Sequence, residues 1–125
     1  MKIAISSSGP SLNAILDPRF GRCAYFLFVE TDDMSFEAVD NRNSMTGSGA
    51  GIQSSQLVAS KGAKVVLTGS CGPNAHQTLT AANIDVISDC AGTVAEVIAS
   101  WRSGAFRIAT APNVGGHAAQ RRAAR

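Results

Sequence analysis

Short runs of β-type apolar residues alternate along the chain with longer runs of helical spacing. The predicted strands cover residues 2–6, 24–30, 35–40, 64–68 and 84–87. The predicted helices cover residues 52–59, 74–82 and 92–101. In the last of these helices, Val94, Val97, Ile98 and Trp101 recur at spacings of three and four residues, which is the period of one helix face. The pattern therefore predicts an α/β protein with the element order βββαβαβα.

Helices between the later strands predict that those strands run parallel, because a parallel pair needs a crossover connection. The resulting strand directions place four loops at one edge of the sheet, which we call the rim: residues 6–22, 41–51, 69–74 and 88–92. In open α/β sheets, ligands bind beyond the carboxyl ends of the parallel strands, which is this edge. All three cysteines, Cys23, Cys71 and Cys90, are expected at the rim.

The segment TGSCGPNA, residues 68–75, is the most informative local motif. It follows an apolar run, and Gly69 and Gly72 favour a tight turn, while Pro73 suits the first position of a helix. A helix N-terminus presents unpaired N–H groups that favour an anion. Cys71 adds a soft sulfur ligand inside this turn, so the motif points to a metal–sulfur species more than to a phosphate.

Length and composition narrow the function class further. The chain of 125 residues suits one domain, and no apolar run approaches the roughly 20 residues of a membrane span. The apolar stretch at the start of the sequence is shorter than a signal peptide would need, no two cysteines form a CxxC pair, and three cysteines is an odd number. We therefore expect a cytoplasmic protein with neither a disulfide framework nor a zinc knuckle, and no membrane partner.

The formal net charge of +2 comes from the C-terminus. Arg121, Arg122 and Arg125 lie in the last five residues, and without them the remaining eight Lys and Arg residues face nine Asp and Glu residues. A folded body of net charge −1 argues against a nucleic-acid partner. We predict one domain over residues 1–104 and a flexible basic tail over residues 105–125.

Several motifs together resemble one protein family. They are DPRFGRCAYF (residues 17–26), GAGIQSSQLVASKGAKVVLTG (49–69), CGPNAHQTL (71–79) and SDCAGTVAEVIASWRSG (88–104). In this order they are similar to the dinitrogenase iron–molybdenum cofactor biosynthesis family. This family comprises NifX-like proteins, the C-terminal domain of NifB-like proteins, and stand-alone members such as the molybdenum–copper orange proteins. The resemblance covers nearly everything before the tail.

The resemblance implies a ribonuclease H-like fold with a mixed five-stranded sheet flanked by helices. It also implies a non-catalytic protein that binds, carries or stores a labile metal–sulfur cluster. That cluster would be of the molybdenum–copper sulfide type or an iron–molybdenum or iron–sulfur precursor. Other cofactor-maturation proteins, including an ATPase, are the partners that such a carrier implies.

A candidate site follows from the motifs and the chemistry of an anionic, soft cluster. Arg19 and Arg22 would clamp it electrostatically, and helix-start amides would donate to its sulfides. The cofactor-binding candidates are Arg19, Phe20, Gly21, Arg22, Ser70, Cys71, Gly72, Pro73, Asn74, Ala75 and His76. Cys71 is the favoured metal ligand, ahead of Cys23, Cys90 and His76.

Each candidate also has a structural interpretation. Arg19 and Arg22 could equally pair with Asp17, Asp89 or a sheet carbonyl. Phe20 is more typical of a core residue than of a cofactor contact, and a cysteine beside an aromatic strand, as Cys23 is, is often simply buried.

Three other functions remain open on the sequence. A ribonuclease H-type nuclease would need clustered carboxylates for magnesium, and the sequence assembles no such group. A phosphate or nucleotide binder would use the turn at residues 69–74, which lacks the Walker lysine and serine. A scaffold or regulatory module would contact a maturation ATPase through the rim.

Overall fold

A computed structural model describes residues 1–41, 49–104 and 112 of the chain. Its strands are β1 (Lys2–Ser7), β2 (Tyr25–Glu30), β3 (Phe36–Asp40), β4 (Val65–Leu67) and β5 (Asp85–Ile87). Its helices are α1 (Ala50–Ser60), α2 (Pro73–Ala81) and α3 (Val94–Arg102), with a short 3-10 turn at Phe20–Arg22. Each predicted strand and helix is present, and the predicted ends differ by one or two residues.

The five strands form one mixed sheet in the order β3-β2-β1-β4-β5. Strands β3, β2 and β1 pair antiparallel, with Ile3 opposite Val29. Strands β1, β4 and β5 pair parallel, with Ile5 opposite Leu67. The predicted α/β class and mixed five-stranded sheet are confirmed, and the ribonuclease H-like assignment stays a prediction.

Each face of the sheet carries its own hydrophobic layer, because successive side chains of a strand point to opposite faces. On one face, sheet residues pack with Val58 of α1 and Leu79 of α2. On the other face, sheet residues pack with Val97 and Ile98 of α3. The sheet residues of the α1/α2 layer are Ala4, Phe26, Phe28, Val66 and Val86. Those of the α3 layer are Ile3, Ile5, Leu27, Val29, Val65, Leu67 and Ile87.

Helix α3 begins two residues later than the sequence analysis placed it, because Thr93 caps it. The Glu96 N–H donates to Thr93 Oγ1 at 3.1 Å, and the Thr93 N–H donates to Glu96 Oε1 at 2.9 Å. This reciprocal pair is a capping box. Gly92 precedes it at φ +118°, where a Cβ would lie 2.9 Å from Glu96 Oε1. The predicted first residue of the helix is therefore the glycine that makes room for the cap.

Two predicted segments lie wholly or mostly outside the described residues. They are the part of the rim loop at residues 42–48 and the tail at residues 105–125, of which only residue 112 is described. The domain boundary at residue 104 stays a prediction for this reason. Within the described residues, no helix has the length and hydropathy to cross a bilayer. The cytoplasmic location also stays a prediction.

Candidate anion-binding site

Buried hydroxyl groups fix the rim at the ends of β1 and β4. The hydroxyls of Ser6 and Thr68, both fully buried, lie 2.8 Å apart and share a hydrogen bond. Ser6 Oγ also donates to the carbonyl of Asp17 at 2.7 Å, and the Asp17 N–H donates back to the Ser6 carbonyl at 3.0 Å. The loop that carries both candidate arginines is therefore attached to the ends of β1 and β4, two neighbouring strands inside the sheet.

The arginine loop is joined directly to the glycine turn. Both the N–H and the hydroxyl of Ser70 donate to the Pro18 carbonyl, at 2.6 and 2.8 Å. The Phe20 N–H donates to the Ser70 carbonyl at 3.1 Å. At Gly69 a Cβ would lie 2.6 Å from Pro18 Cα, so this close approach of two backbones requires glycine. Residues that are some fifty positions apart in sequence thus form one unit.

The 3-10 turn and the first turns of α1 and α2 are in mutual contact. A Cβ on Gly21 would lie 2.9 Å from Gly51 Cα, and a Cβ on Gly51 would lie 3.3 Å from Ala75 Cβ. Ser55 Oγ bridges the two helices by donating to the carbonyls of Gly51 at 2.8 Å and Ala75 at 3.4 Å. Two helix N-termini therefore meet beside the arginine loop.

The N-cap residue of each of these two helices is a glycine, which has no side chain that could cap the helix. The N-cap residues are Gly49 in α1 and Gly72 in α2. The first helical hydrogen bond of α2 runs from the His76 N–H to the Gly72 carbonyl at 2.9 Å. Within the described part of the chain, no acceptor engages the N–H groups of Asn74 and Ala75. Helix starts of this kind present a partial positive charge and free donors to an anion.

The N-terminus of α3 provides the contrast within the same molecule. Besides the Thr93 cap, the Val94 N–H donates to the Ala14 carbonyl and the Ala95 N–H donates to the Leu12 carbonyl, both at 2.9 Å. Every early amide of α3 is therefore occupied by the protein itself. Within the described residues, the open amides of α2 lie on the α1/α2 side of the sheet, where the candidate arginines also lie.

Arg19 and Arg22 are exposed at the two ends of the 3-10 turn. Arg19 is held by Asp17, whose Oδ1 accepts from the Arg19 N–H at 3.0 Å and from Nε at 3.3 Å. Asp17 Oδ2 accepts from Arg19 Nη2 at 3.3 Å. The hydrogen bond and charge of Asp17 raise the pKa of Arg19 further above its usual range. The expectation that Arg19 pairs with Asp17 is confirmed, and its side chain is still 64% exposed.

Cys71 and Cys23 are thiols enclosed in the α1/α2 hydrophobic layer. Their exposed fractions are 1% and 0%, and burial raises the pKa of each to about 12. Cys23 Sγ donates to the Phe20 carbonyl at 3.3 Å. Because the thiolate is the metal-binding form, neither sulfur is presented as a ligand in this conformation. The structural interpretation of Cys23 fits this environment.

Cys90 lies in the other hydrophobic layer, with α3, and its Sγ donates to the Ile87 carbonyl at 3.5 Å. All three cysteines lie at the rim end of the sheet, but Cys90 packs on the opposite face from Cys23 and Cys71. Strand direction predicts the end of the sheet at which a residue lies, but the side of the sheet depends on the local twist of the loop. Across the described ranges, no group of three or more His, Cys, Asp or Glu side chains could hold a metal ion.

The remaining predicted site residues lie on the joined loops and on the first turn of α2. Phe20 is 2% exposed and its ring packs against that of Phe26 in a tilted arrangement with centroids 5.2 Å apart, so Phe20 is a core residue. Ala75 is buried. Pro73 and Asn74 are exposed, and Gly21, Ser70, Gly72 and His76 are half-buried.

Sequence reasoning missed the contribution of α1 to this site. Gly51 and the α1 N-terminus were treated as part of a family motif, not as a second source of amides. The signal was present in the sequence as two glycines, Gly49 and Gly51, directly before the helical run. Asp17, which holds Arg19, was likewise considered only as a possible partner.

Comparison with known proteins gives a consistent result. Residues 1–104 match the sequence profile of a family described as dinitrogenase iron–molybdenum cofactor. An uncharacterised protein of Methanocaldococcus jannaschii is 32% identical over 109 residues, which is 83% of this chain and 87% of that protein.

Solved structures show the same similarity. The apo form of the orange protein from Desulfovibrio gigas is 44% identical with a TM-score of 0.87, over 90% of this chain and 96% of that one. A NifB-like protein from Thermotoga is 31% identical with a TM-score of 0.79, over 92% of this chain and 98% of that one.

Proposed function

The chain belongs to the dinitrogenase iron–molybdenum cofactor family, and from this membership we propose that it binds and carries an anionic metal–sulfur cluster without chemical turnover. The cargo would be an iron–molybdenum cofactor precursor or a cluster of the molybdenum–copper sulfide type. Delivery to a cofactor-maturation protein is part of this proposal, because a carrier has to release its cargo to an acceptor.

One observation carries the proposal: two helix N-termini whose N-cap residues are glycines meet beside two exposed arginines. The first turns of α1 and α2 touch at Gly51 and Ala75. The Asn74 and Ala75 amides and the guanidinium groups of Arg19 and Arg22 are hydrogen-bond donors at this end of the sheet. Sulfides at the surface of an anionic cluster are acceptors for such donors, and charge-assisted hydrogen bonds are the stronger kind.

The cluster would be held by hydrogen bonds and electrostatic attraction, because the nearest sulfur is enclosed. Cys71 lies between Ser70 and Gly72 in the turn, yet its thiol is in the core and has a pKa of about 12. Ligation of a metal by Cys71 stays a prediction, and it would require the turn to open. A Cys71→Ser variant tests it, since loss of a sulfur ligand changes the charge-transfer absorption of a bound cluster.

A small-anion or nucleotide binder is the second candidate, since the same helix N-termini would accept a phosphate. The absence of a carboxylate group suited to magnesium, within the described residues, gives no support to a nuclease. A scaffold role towards a maturation ATPase is compatible with carriage and would use the same rim.

We also infer that the topology is ribonuclease H-like. The support is the sheet order β3-β2-β1-β4-β5, with an antiparallel half and a parallel half that meet at β1. The candidate site lies at the rim end of β1 and β4, where the two halves join.

The decisive experiment is anaerobic reconstitution of the purified protein. One sample receives ferrous iron and sulfide, and another receives copper(I) and tetrathiomolybdate, and each is then passed through gel filtration. A coloured protein fraction with stoichiometric metal supports carriage, and the successful mixture identifies the cargo class. Colourless, metal-free protein from both mixtures, together with binding of inorganic phosphate, would favour the small-anion function instead.

A further inference from the structure

We propose that Asp17 is a positioning residue that aims Arg19 at the cargo, an inference that rests on the proposed function. Asp17 contacts the guanidinium through two oxygens, and it is itself anchored to the sheet by Ser6. An exposed cation is thereby connected, through hydrogen bonds, to the ends of the inner strands β1 and β4. The consequence is a site whose charge is held in place before the anion arrives.

The burial of Asp17 indicates that it positions the Arg19 guanidinium and does not only hold the loop by accepting from the Arg19 N–H. Its side chain is 8% exposed, whereas that of Arg19 is 64% exposed. A buried carboxylate is costly unless it is paired, and a neutral Asn or Ser would brace the Arg19 N–H without this cost. The carboxylate therefore has a use beyond the turn, and the group it engages is the guanidinium.

Asp33 shows the same turn without a guanidinium. Its Oδ1 accepts from the Ser35 N–H at 3.0 Å, as Asp17 Oδ1 accepts from the Arg19 N–H two residues on. Asp33 is exposed, lies between β2 and β3 at the end of the sheet opposite the rim, and its other partner is the Ser35 hydroxyl. It is a matched control for removing a carboxylate from this kind of turn.

The geometry leaves Arg19 available to a ligand. Asp17 takes Nε–H and one N–H of Nη2, and the guanidinium carries five N–H donors in a rigid fork. The donors on Nη1 lie on the side away from Asp17. A fixed guanidinium loses less rotamer freedom when the anion binds than a free one does, which favours affinity.

The test compares variants in the binding of a preformed copper(I)–tetrathiomolybdate complex, followed by its visible absorption at about 0.5 M salt. At this ionic strength the Debye length is below about 5 Å, so the part of the repulsion between Asp17 and the anion that acts through solvent is reduced. Asp17→Asn keeps the Oδ1 acceptor for the turn and removes the second acceptor and the charge. We expect roughly 3- to 10-fold weaker binding from the freedom that Arg19 regains.

A double-mutant comparison separates positioning from a structural role. In the Arg19→Ala background, Asp17→Asn should produce no further loss, and Asp33→Asn should leave affinity unchanged. The proposal is overturned if Asp17→Asn binds the complex as tightly as the unmodified protein or more tightly. It is also overturned if Asp17→Asn lowers affinity as much in the Arg19→Ala background as it does in the unmodified protein.

Two further outcomes keep the inference distinct from the proposed function. If the unmodified protein does not retain the complex, both the proposed function and the positioning role of Asp17 fail. If the unmodified protein retains the complex and Arg19→Ala binds it equally well, only the positioning role fails. Should Asp17→Asn not fold, Arg19→Lys tests the same point, because lysine keeps the charge but cannot make the paired contact. Unchanged affinity of Arg19→Lys would then overturn the role of Asp17.

Discussion

Replacing Gly72 by aspartate is expected to stabilise the fold and to prevent anion binding at the same time. Gly72 is the N-cap residue of α2, with φ −71° and ψ 175°, a backbone conformation that any residue adopts. A Cβ at this position would meet no atom within 4 Å. The new carboxylate can therefore turn back and accept from the N–H groups at the start of α2.

The gain in stability combines a better cap, a favourable charge at a helix N-terminus and a less flexible unfolded chain. Together these amount to about 1 kcal/mol, which for a domain of this size raises Tm by roughly 4 °C. The loss of binding has the opposite cause. Two like charges 4 Å apart near a protein surface, such as the new carboxylate and the bound anion, repel by about 4 kcal/mol. If only half of that repulsion acts, binding of the anion is weakened about 30-fold.

The assay pairs thermal unfolding with titration of the copper(I)–tetrathiomolybdate complex. Gly72→Ala is the matched control, since it adds a Cβ without a cap and should bind within about twofold of the unmodified protein. Gly72→Asn adds the cap without the charge and should fall between the two. A more stable Gly72→Asp protein that binds as tightly as before would show that the α2 N-terminus is not part of the site.

Three further results are expected. Arg22→Ala should weaken binding of the same complex at low salt, and the gap should narrow towards about 0.5 M salt because exposed charges are screened; equal affinities at low salt would remove Arg22 from the site. The pKa of Cys23 and Cys71 is raised from 9.0 to about 12, so the stability from burying neutral thiols is present below pH 9 and is lost as pH rises towards 12. The Tm should accordingly fall less steeply above pH 9 in a Cys23→Ala/Cys71→Ala protein, and parallel curves would contradict the burial argument. Thr93→Ala should cost about 1 kcal/mol of unfolding free energy by removing the α3 cap without altering cluster affinity, and a change in affinity would mean that the two helix layers are coupled.

The architecture was predictable because each element has an apolar run or an apolar spacing typical of its type. The run from Tyr25 to Glu30 is long and aromatic, and the helices carry apolar residues at helical spacing. The glycine turn at residues 69–74 was predictable from its residue types, because a glycine followed by a proline is typical of the start of a helix, with Pro73 at the first helical position.

The arrangement of the site was less predictable because it depends on contacts between distant segments. Nothing local in Cys90 shows that it lies in the α3 layer, and nothing local in Cys71 shows that its thiol is enclosed in the α1/α2 layer. The contact of Gly21 with Gly51 joins segments that are separated by two strands. Such approaches are decided by tertiary packing, which single-sequence patterns do not encode.

Because the N-terminal amides of α3 are already hydrogen-bonded, α3 can be modified separately from the candidate site at α1 and α2. Its amides are occupied by Thr93 and by the carbonyls of Leu12 and Ala14, and its apolar face packs in a layer separate from that of α1 and α2. Labels, tethers or stabilising substitutions on the solvent side of α3 can therefore be introduced without touching the open helix starts. A sensor for metal–sulfur anions built on this chain would carry its fluorophore there.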